Sequence, residues 1–381
     1  MGKRTNKKLR KCDPVPQGTV LTDSQKVQWK VGPLIGSGGF GDIYCTHNAN
    51  EPVPAQTENY PFVVKIEPHE NGPLFVEKNF YLKHCQPGAL ELYRKQRKLK
   101  HLGVAHYISS GSQEVLGVKH RYLVMPRFGE SLQTLFVHHS ECLPLRIVYR
   151  VALQILDVLE FLHSCGYVHG DLKPANILVG FGPTGQDRVY FIDYGMAARA
   201  VVDRELVPDL RKKHNGTLEY CSRDAHQGVP TWRGELESLA YNLIHWAGGM
   251  LPWKLLQDCT KVQQMKGASM KDVVGLVRSC FVKRVAGPPV AIGELLQLVN
   301  SLHPNEHPDY AACVGIFENG LKVLGVPNSG PIAVGNYDIS GEGLNASGTP
   351  RKRRKIEDLP KASPSRRSTR LLEQSKSSSM I

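Results

Sequence analysis

Nowhere in the 381 residues do some eighteen apolar side chains run together, the length a helix needs to cross a bilayer, so a soluble chain without a membrane span is expected. The N-terminus MGKRTNKKLRK leads into no apolar segment of the kind a secretory signal carries, which leaves nucleus and cytoplasm as the expected compartments. No two of the nine cysteines (12, 45, 85, 142, 165, 221, 259, 280 and 313) stand in a C-x-x-C pair, and their number is odd. Free thiols in a reducing compartment are therefore expected rather than disulfides or a zinc site. Acidic residues are absent from positions 1–12, which hold six Lys and Arg, and scarce in 351–381, where three face ten basic residues. With these ends set aside, the 48 basic and 35 acidic residues of the chain reduce to 32 of each sign. The net charge of +13 is thus a property of two tails, which suits appended binding or targeting arms better than a basic folded surface.

What is present is organised around Tyr167–Val179, YVHGDLKPANILV. Asp171 precedes Asn176 by five positions, with Lys173 between them, in the H-x-D-x-x-x-x-N pattern of a phosphotransferase loop. The spacing suits phosphoryl transfer. One carboxylate orients the attacking hydroxyl, a neutral amide oxygen reaches a metal ion on the ATP phosphates, and a lysine neutralises charge on the group in flight. Alone, HGDL followed by Asn also fits the small-molecule kinases of antibiotics and choline.

The flanking sequence narrows the choice. Val27–His47 reads as two strands around GSGGFG, with Gly36, Gly38 and Gly41 in a G-x-G-x-x-G pattern and the branched Ile35 and Ile43 on either side, Ile43 where it would cap an adenine. FVVKIE is an apolar strand interrupted by Lys65, and LFVEKNFYLKHC is a helix carrying Glu77 with Phe75, Phe80 and Leu82 as expected packing neighbours. Lys65 and Glu77 are expected to pair and to set the α- and β-phosphates. A basic helix is expected over 91–102, a strand over 121–126 ending at a hinge, and a buried helix from Pro144 on the spacing Ile147, Val151, Ile155, Val158, Leu159, Leu162, closed by Gly166. A hairpin of 177–179 with 189–192 then ends in Asp193-Tyr194-Gly195, 22 residues after Asp171, so that Asn176 and Asp193 form a candidate Mg2+ site. Residues 196–224 read as an activation segment and substrate platform. LESLAYNLIHWAGGMLPW reads as a core helix in which Trp246 and Trp253 pack. From about Gly325 the composition turns to Gly, Pro, Ser and Asn and then to PRKRRKIEDLP, which reads as disorder with a nuclear-import signal at RKRRK.

Together NGPLFVEKNFY, RFGESLQ, YVHGDLKP, DYG, HNGTLEY, DAHQGV and LPW resemble the vaccinia-related kinases of the casein kinase I group, over about residues 28–325. The long activation segment and DAHQG argue against the antibiotic-kinase reading. The resemblance implies an α+β, bilobal protein-kinase fold: a small β-rich N-lobe (28–126), a large helical C-lobe (127–325), a basic arm (1–27) and a disordered basic tail (326–381). It also implies an ATP- and Mg2+-dependent Ser/Thr protein kinase, with Asp171, Lys173, Lys65 and Glu77 as catalytic residues. Ile35, Gly36, Gly38, Gly41, Ile43 and Lys65 would hold the nucleotide, and Asn176 and Asp193 the metal. The expected protein is a monomer, nuclear with some in the cytoplasm, that phosphorylates histones and a DNA-bridging nuclear-envelope protein in mitosis and meiosis. The basic tails would hold nucleosomal DNA through its backbone. One feature sets the family apart from most kinases, and one sets this chain apart from the family. Gly170 replaces the usual Arg of the catalytic loop, and Glu235 replaces the family's Asp at a position that fastens the backbone of that loop. The extra methylene leaves room for a looser anchor, and it is the best support for the alternative of a pseudokinase scaffold that tethers chromatin or envelope proteins.

Overall fold

A computed structural model of the chain describes residues 10, 12–38, 41–202 and 205–332. Six antiparallel strands open the fold: β1 (Val20–Thr22), β2 (Gln28–Ser37), β3 (Asp42–Asn48), β4 (Phe62–Pro68), then α1 (Pro73–His84) and α2 (Pro87–Gln96), then β5 (Ser109–Val115) and β6 (Val118–Pro126). They lie in the order β1-β2-β3-β4-β6-β5. In β4 every residue from Val63 to Pro68 is buried, so this strand is a central one whose two faces are both covered. Lys65 is placed on it and sits opposite Ile43 of β3 and Leu123 of β6.

The second half is helical. α3 (Leu132–His138) is capped by Ser131, whose hydroxyl accepts from Thr134 N. α4 (Leu145–Ser164) buries fifteen of its twenty side chains, as the 3.6-residue apolar spacing requires of a central helix. Gly166, at φ +77°, turns the chain out of it in the left-handed conformation that only glycine adopts cheaply. The short β7 (Tyr167–Val168), β8 (Ile177–Val179), β9 (Val189–Phe191) and β10 (Ala198–Arg199) carry the loops of the site, β8 pairing with β9 and β7 with β10. α5 (Arg223–His226), α6 (Trp232–Trp246), α7 (Cys259–Ser269), α8 (Val273–Cys280), α9 (Val290–Ser301) and α10 (Tyr310–Val323) complete this half. Thirteen of the fifteen residues of α6 are buried; Trp246 and Trp253 are core residues as expected, but the helix ends at Trp246 and the turn through Gly248, at φ +82°, puts Trp253 beyond it.

Four further details differ from the sequence reading. β1 falls inside the segment assigned to the arm, and Cys12, Val15 and Leu21 are buried against the sheet with Trp29, Tyr44 and Ile66. At the other end Ile332 is buried and donates its N–H to Gln186 O at 2.7 Å, so packing continues past residue 325. The helix expected over 91–102 is α2, which begins at Pro87 because proline costs nothing in the first turn and is over by Lys98, at φ +55°. Phe75 and Leu82 are exposed on α1, and the side chains buried beside Glu77 are Leu74, Phe80 and Tyr81. The expectations for residues 1–9 and for 333–381, RKRRK included, lie outside the described residues.

Candidate active site

The site is built from two groups of side chains. In the first, Lys65 Nζ donates to Glu77 Oε2 at 2.7 Å and to Asp193 Oδ1 at 2.8 Å. Burial works to discharge a lysine, but Glu77 and Asp193 outweigh it, and the Lys65 pKa lies above its ordinary value. The same lysine acts on Asp193, whose carboxyl stays below the usual carboxylate range although burial pushes the other way. Asp193 adopts φ +68°, ψ +65°, a conformation rare for a residue with a Cβ and one that marks functional loops. What over-determines it is the next residue. Tyr194 is fully buried, its ring stacks on Phe80 at 4.6 Å, meets Tyr81 edge-on at 5.2 Å, and its hydroxyl donates to Phe191 O at 3.0 Å. α1 and the segment bearing Asp193 are thereby locked together.

In the second group, Asp171 Oδ1 accepts from Thr217 N at 3.0 Å and Thr217 Oγ1 at 2.7 Å, and Oδ2 accepts from Lys173 Nζ at 2.6 Å. Asn176 Nδ2 donates to Asp171 O at 2.9 Å. His169 joins the groups: it is fully buried, its ring stacks on Phe191 at 3.8 Å, and Nε2 lies 2.9 Å from Ile192 O. Glu235 holds the loop from below. Its carboxylate accepts from His169 N at 2.7 Å and Gly170 N at 2.9 Å, while His163 Nε2 lies 3.0 Å from Oε2 and Tyr310 OH in turn bonds His163 Nδ1. The expected looser anchor is not found, because the longer side chain rises from α6 to reach both amides. Gly170 has φ +81°, and a Cβ there would lie 2.9 Å from Met196 O, so the position admits little but glycine.

The glycine-rich turn joins this site through β3. Gly38 N donates to Gly41 O at 2.9 Å, Gly36 pairs with Ile43, and a Cβ on Gly41 would stand 2.4 Å from Ile66 O. Glycine at 41 lets the turn close down on the strand that carries Lys65. Ile43 is half-buried beside it, whereas Ile35 remains exposed. The sequence pattern assigns no contact to Thr217 and His169, whose partners, Asp171 and Ile192, are distant from them in the chain. The buried Lys266 also went unnoticed. Its ammonium donates to Leu218 O at 2.8 Å and Cys221 O at 2.6 Å and so holds the activation segment to α7.

Among the described residues no cluster of three or more His, Cys, Asp or Glu offers a ready-made metal cage. One carboxylate, Asp193, and one amide oxygen, left available because Asn176 commits its nitrogen to Asp171, are hard oxygen donors. They suit a cation that takes its remaining ligands from phosphate and water.

This geometry agrees with the comparisons. The protein kinase domain family matches residues 29–272. Nucleosomal histone kinase 1 of Drosophila melanogaster is 43% identical over 366 residues, covering 93% of this chain, which spans 59% of that protein's length. B1 kinase of vaccinia virus (strain Western Reserve) is 37% identical over 298 residues, with 77% of this chain and 95% of the viral protein covered. The solved structure of vaccinia related kinase 3 superposes with a TM-score of 0.72 at 29% identity, covering 84% of this chain and 96% of the other. A kinase domain over most of the chain implies ATP and a divalent metal ion as cofactors. By its fold, its sequence and the arrangement of its site, this chain belongs to the vaccinia-related kinase family of protein kinases.

Proposed function

We propose that the chain is an active Ser/Thr kinase that uses Mg2+ and ATP to phosphorylate nucleosomal histones in the nucleus. The observation that carries the activity is the simultaneous contact of Lys65 with Glu77 at 2.7 Å and Asp193 at 2.8 Å, which joins β4, α1 and the Asp193 segment in one charged cluster. In this reading Lys65 binds the α- and β-phosphates, with the turn of Gly36, Gly38 and Gly41 above them and Ile35 and Ile43 against the base. Asp171 orients the substrate hydroxyl. Its Oδ1 carries both Thr217 donors, and its Oδ2, which carries Lys173, keeps a lone pair to accept that hydroxyl proton. Lys173 neutralises charge on the phosphoryl group. Asn176 and Asp193 would hold Mg2+, which when bound supplies neutralisation of the phosphate charge. The likeness to a nucleosomal histone kinase supports histones as substrate, and the two basic ends of the sequence support contact with nucleosomal DNA. A DNA-bridging protein of the nuclear envelope is the second proposed substrate, in mitosis and meiosis.

The test is transfer of labelled phosphate from ATP to nucleosomes and to the kinase itself, by wild type, Lys65→Arg and Asp193→Ala. Misplacing the cation in Lys65→Arg and removing the carboxylate in Asp193→Ala should each cost about a hundredfold or more in turnover. Equal incorporation by all three would overturn the assignment. The scaffold alternative loses its support here, since Glu235 fastens the catalytic loop through both amides.

A further inference from the structure

The segment before β1 does more than cover the sheet. Arg10 and Asn71 exchange two hydrogen bonds, Arg10 N to Asn71 Oδ1 at 3.0 Å and Asn71 Nδ2 to Arg10 O at 2.8 Å. Asn71 is buried and stands two residues before α1, the helix that carries Glu77. Its own carbonyl accepts from Arg121 Nη1 at 3.0 Å. Next to it Glu67, also buried, accepts the N–H of Leu74 at 2.9 Å and so caps the first turn of α1. Further along the same segment Val15 N donates to Tyr44 OH at 2.9 Å. The Tyr44 hydroxyl reaches Asp42 Oδ2 at 3.4 Å, and Asp42 Oδ1 accepts from Ser37 Oγ at 2.6 Å, where Ser37 and Asp42 close the glycine-rich turn on β2 and β3. Between the two anchor points Cys12 is buried in the sheet cluster. Arg10 and Val15 thus tie the start of α1 and the base of the glycine-rich turn to the segment before β1.

We propose that this strap, clamped at Asn71 and at Tyr44, is a positioning element for phosphoryl transfer that holds the helix of Glu77 and the glycine-rich turn in register with Lys65. The physical reason is that α1 meets β4 through the side chains of Lys65 and Glu67, the turn meets it through the pairing of β3 with β4, and the strap adds a bond to each. A bond lost at either end frees one of them. The inference rests on the kinase reading, and Asn71 and Tyr44 act through Glu77 and the turn rather than on the substrates.

The experiment uses the full chain as wild type, Asn71→Ala, Tyr44→Phe and the double variant. It measures affinity for a fluorescent ATP analogue, steady-state kinetics with a short peptide, thermal unfolding, and hydrogen exchange of residues 73–84. Each single variant should weaken nucleotide binding by about five- to twentyfold, the scale of one or two buried hydrogen bonds, and leave the peptide KM within about twofold. Exchange in α1 should quicken in Asn71→Ala. The double variant should lose less than the product of the two single losses, because both cuts release the same strap. Nucleotide affinity and turnover within about twofold of wild type, with only the unfolding midpoint lowered, would reduce the strap to a structural seam and overturn the proposal. If Asn71→Ala does not fold, Tyr44→Phe decides it, since it deletes one hydroxyl and no volume. If wild type itself transfers no phosphate, the kinase reading fails, while nucleotide affinity and exchange still report on the strap.

Discussion

At the scale of single residues, Glu235 illustrates how a substitution that reads as a weakness is absorbed. It is buried and satisfies two backbone amides and His163 at once. Removing it would leave those donors buried without a partner, so Glu235→Ala should destabilise the protein by about 3 kcal/mol or more and lower turnover by displacing Asp171. Denaturant unfolding and peptide kinetics would show both, and near-normal stability would mean that water replaces the carboxylate. Protonation tests a second buried residue, His226. Its Nδ1 lies 2.7 Å from His214 Nδ1 and its Nε2 3.4 Å from Cys221 Sγ. Burial first, then the charges of Lys266, with His214 and Lys213, push its pKa from 6.5 down to about 3. Between these values the unfolded chain binds a proton that the folded one does not, so stability present above pH 6.5 is lost as pH falls. The slope is at most about 1.4 kcal/mol per pH unit from this group. Unfolding free energies between pH 7 and pH 5 should fall more steeply for wild type than for His226→Gln, and parallel lines would assign the acid sensitivity elsewhere.

At the scale of elements, the activation segment is held by bonds that need no phosphate. Thr217 fastens it to Asp171, Lys266 fastens it to α7 through two carbonyls, and the buried Ser222 caps α5 by accepting from Ala225 N. Gly170 cannot supply the cation that a phosphorylated loop would attract. Phosphatase-treated enzyme is therefore expected to keep its activity within about twofold of the untreated enzyme. Loss of nearly all activity, recovered on rephosphorylation at Thr217 or Ser222, would contradict this. The structure adds a reason: Thr217 and Ser222 both spend their hydroxyls on internal bonds, and a phosphate on either would break one. Helices and strands were largely readable beforehand, because α4 and the β8–β9 hairpin follow their apolar periods. The bounds of α2 were not, since its basic, half-exposed sequence has one buried residue, Leu90, and no period to mark its start.

At the scale of the whole molecule, a charge-balanced kinase body sits between two strongly basic stretches of sequence. If these hold nucleosomes through DNA phosphates, binding should weaken steeply with salt, because each neutralised phosphate releases counterions. Trimming 1–9 and 351–381 should flatten the salt slope and spare turnover of a short peptide, as read in binding titrations beside peptide kinetics. Unchanged nucleosome affinity would pass recognition to the folded lobes. Judged by charge alone, the N-terminal cut falls after residue 12, where the acid-free basic stretch ends. The bonds of Arg10 and the burial of Cys12 move it to residue 9, and a cut at 12 should cost turnover.

Short-range order in the sequence was enough for the chemistry of the loop: Asp171, Lys173 and Asn176 lie within six positions, and a fixed local geometry brings them together. The pairing of Lys65 with Glu77, twelve residues apart, was legible through the kinase pattern of a strand lysine and a glutamate on the next helix. Asp193 lies 128 residues from Lys65, and only the known pattern, not any period, linked the two. What tertiary structure alone decided are contacts whose partners carry no local signal. Glu235 reaches 65 residues back to the amide of Gly170, Lys266 is buried from the last turn of a polar helix, and Arg10 offers its backbone N–H, which every residue but proline possesses, to the Asn71 side chain 61 residues on. Backbone donors and acceptors are the same in all sequences, so which of them meet is set by the folded chain.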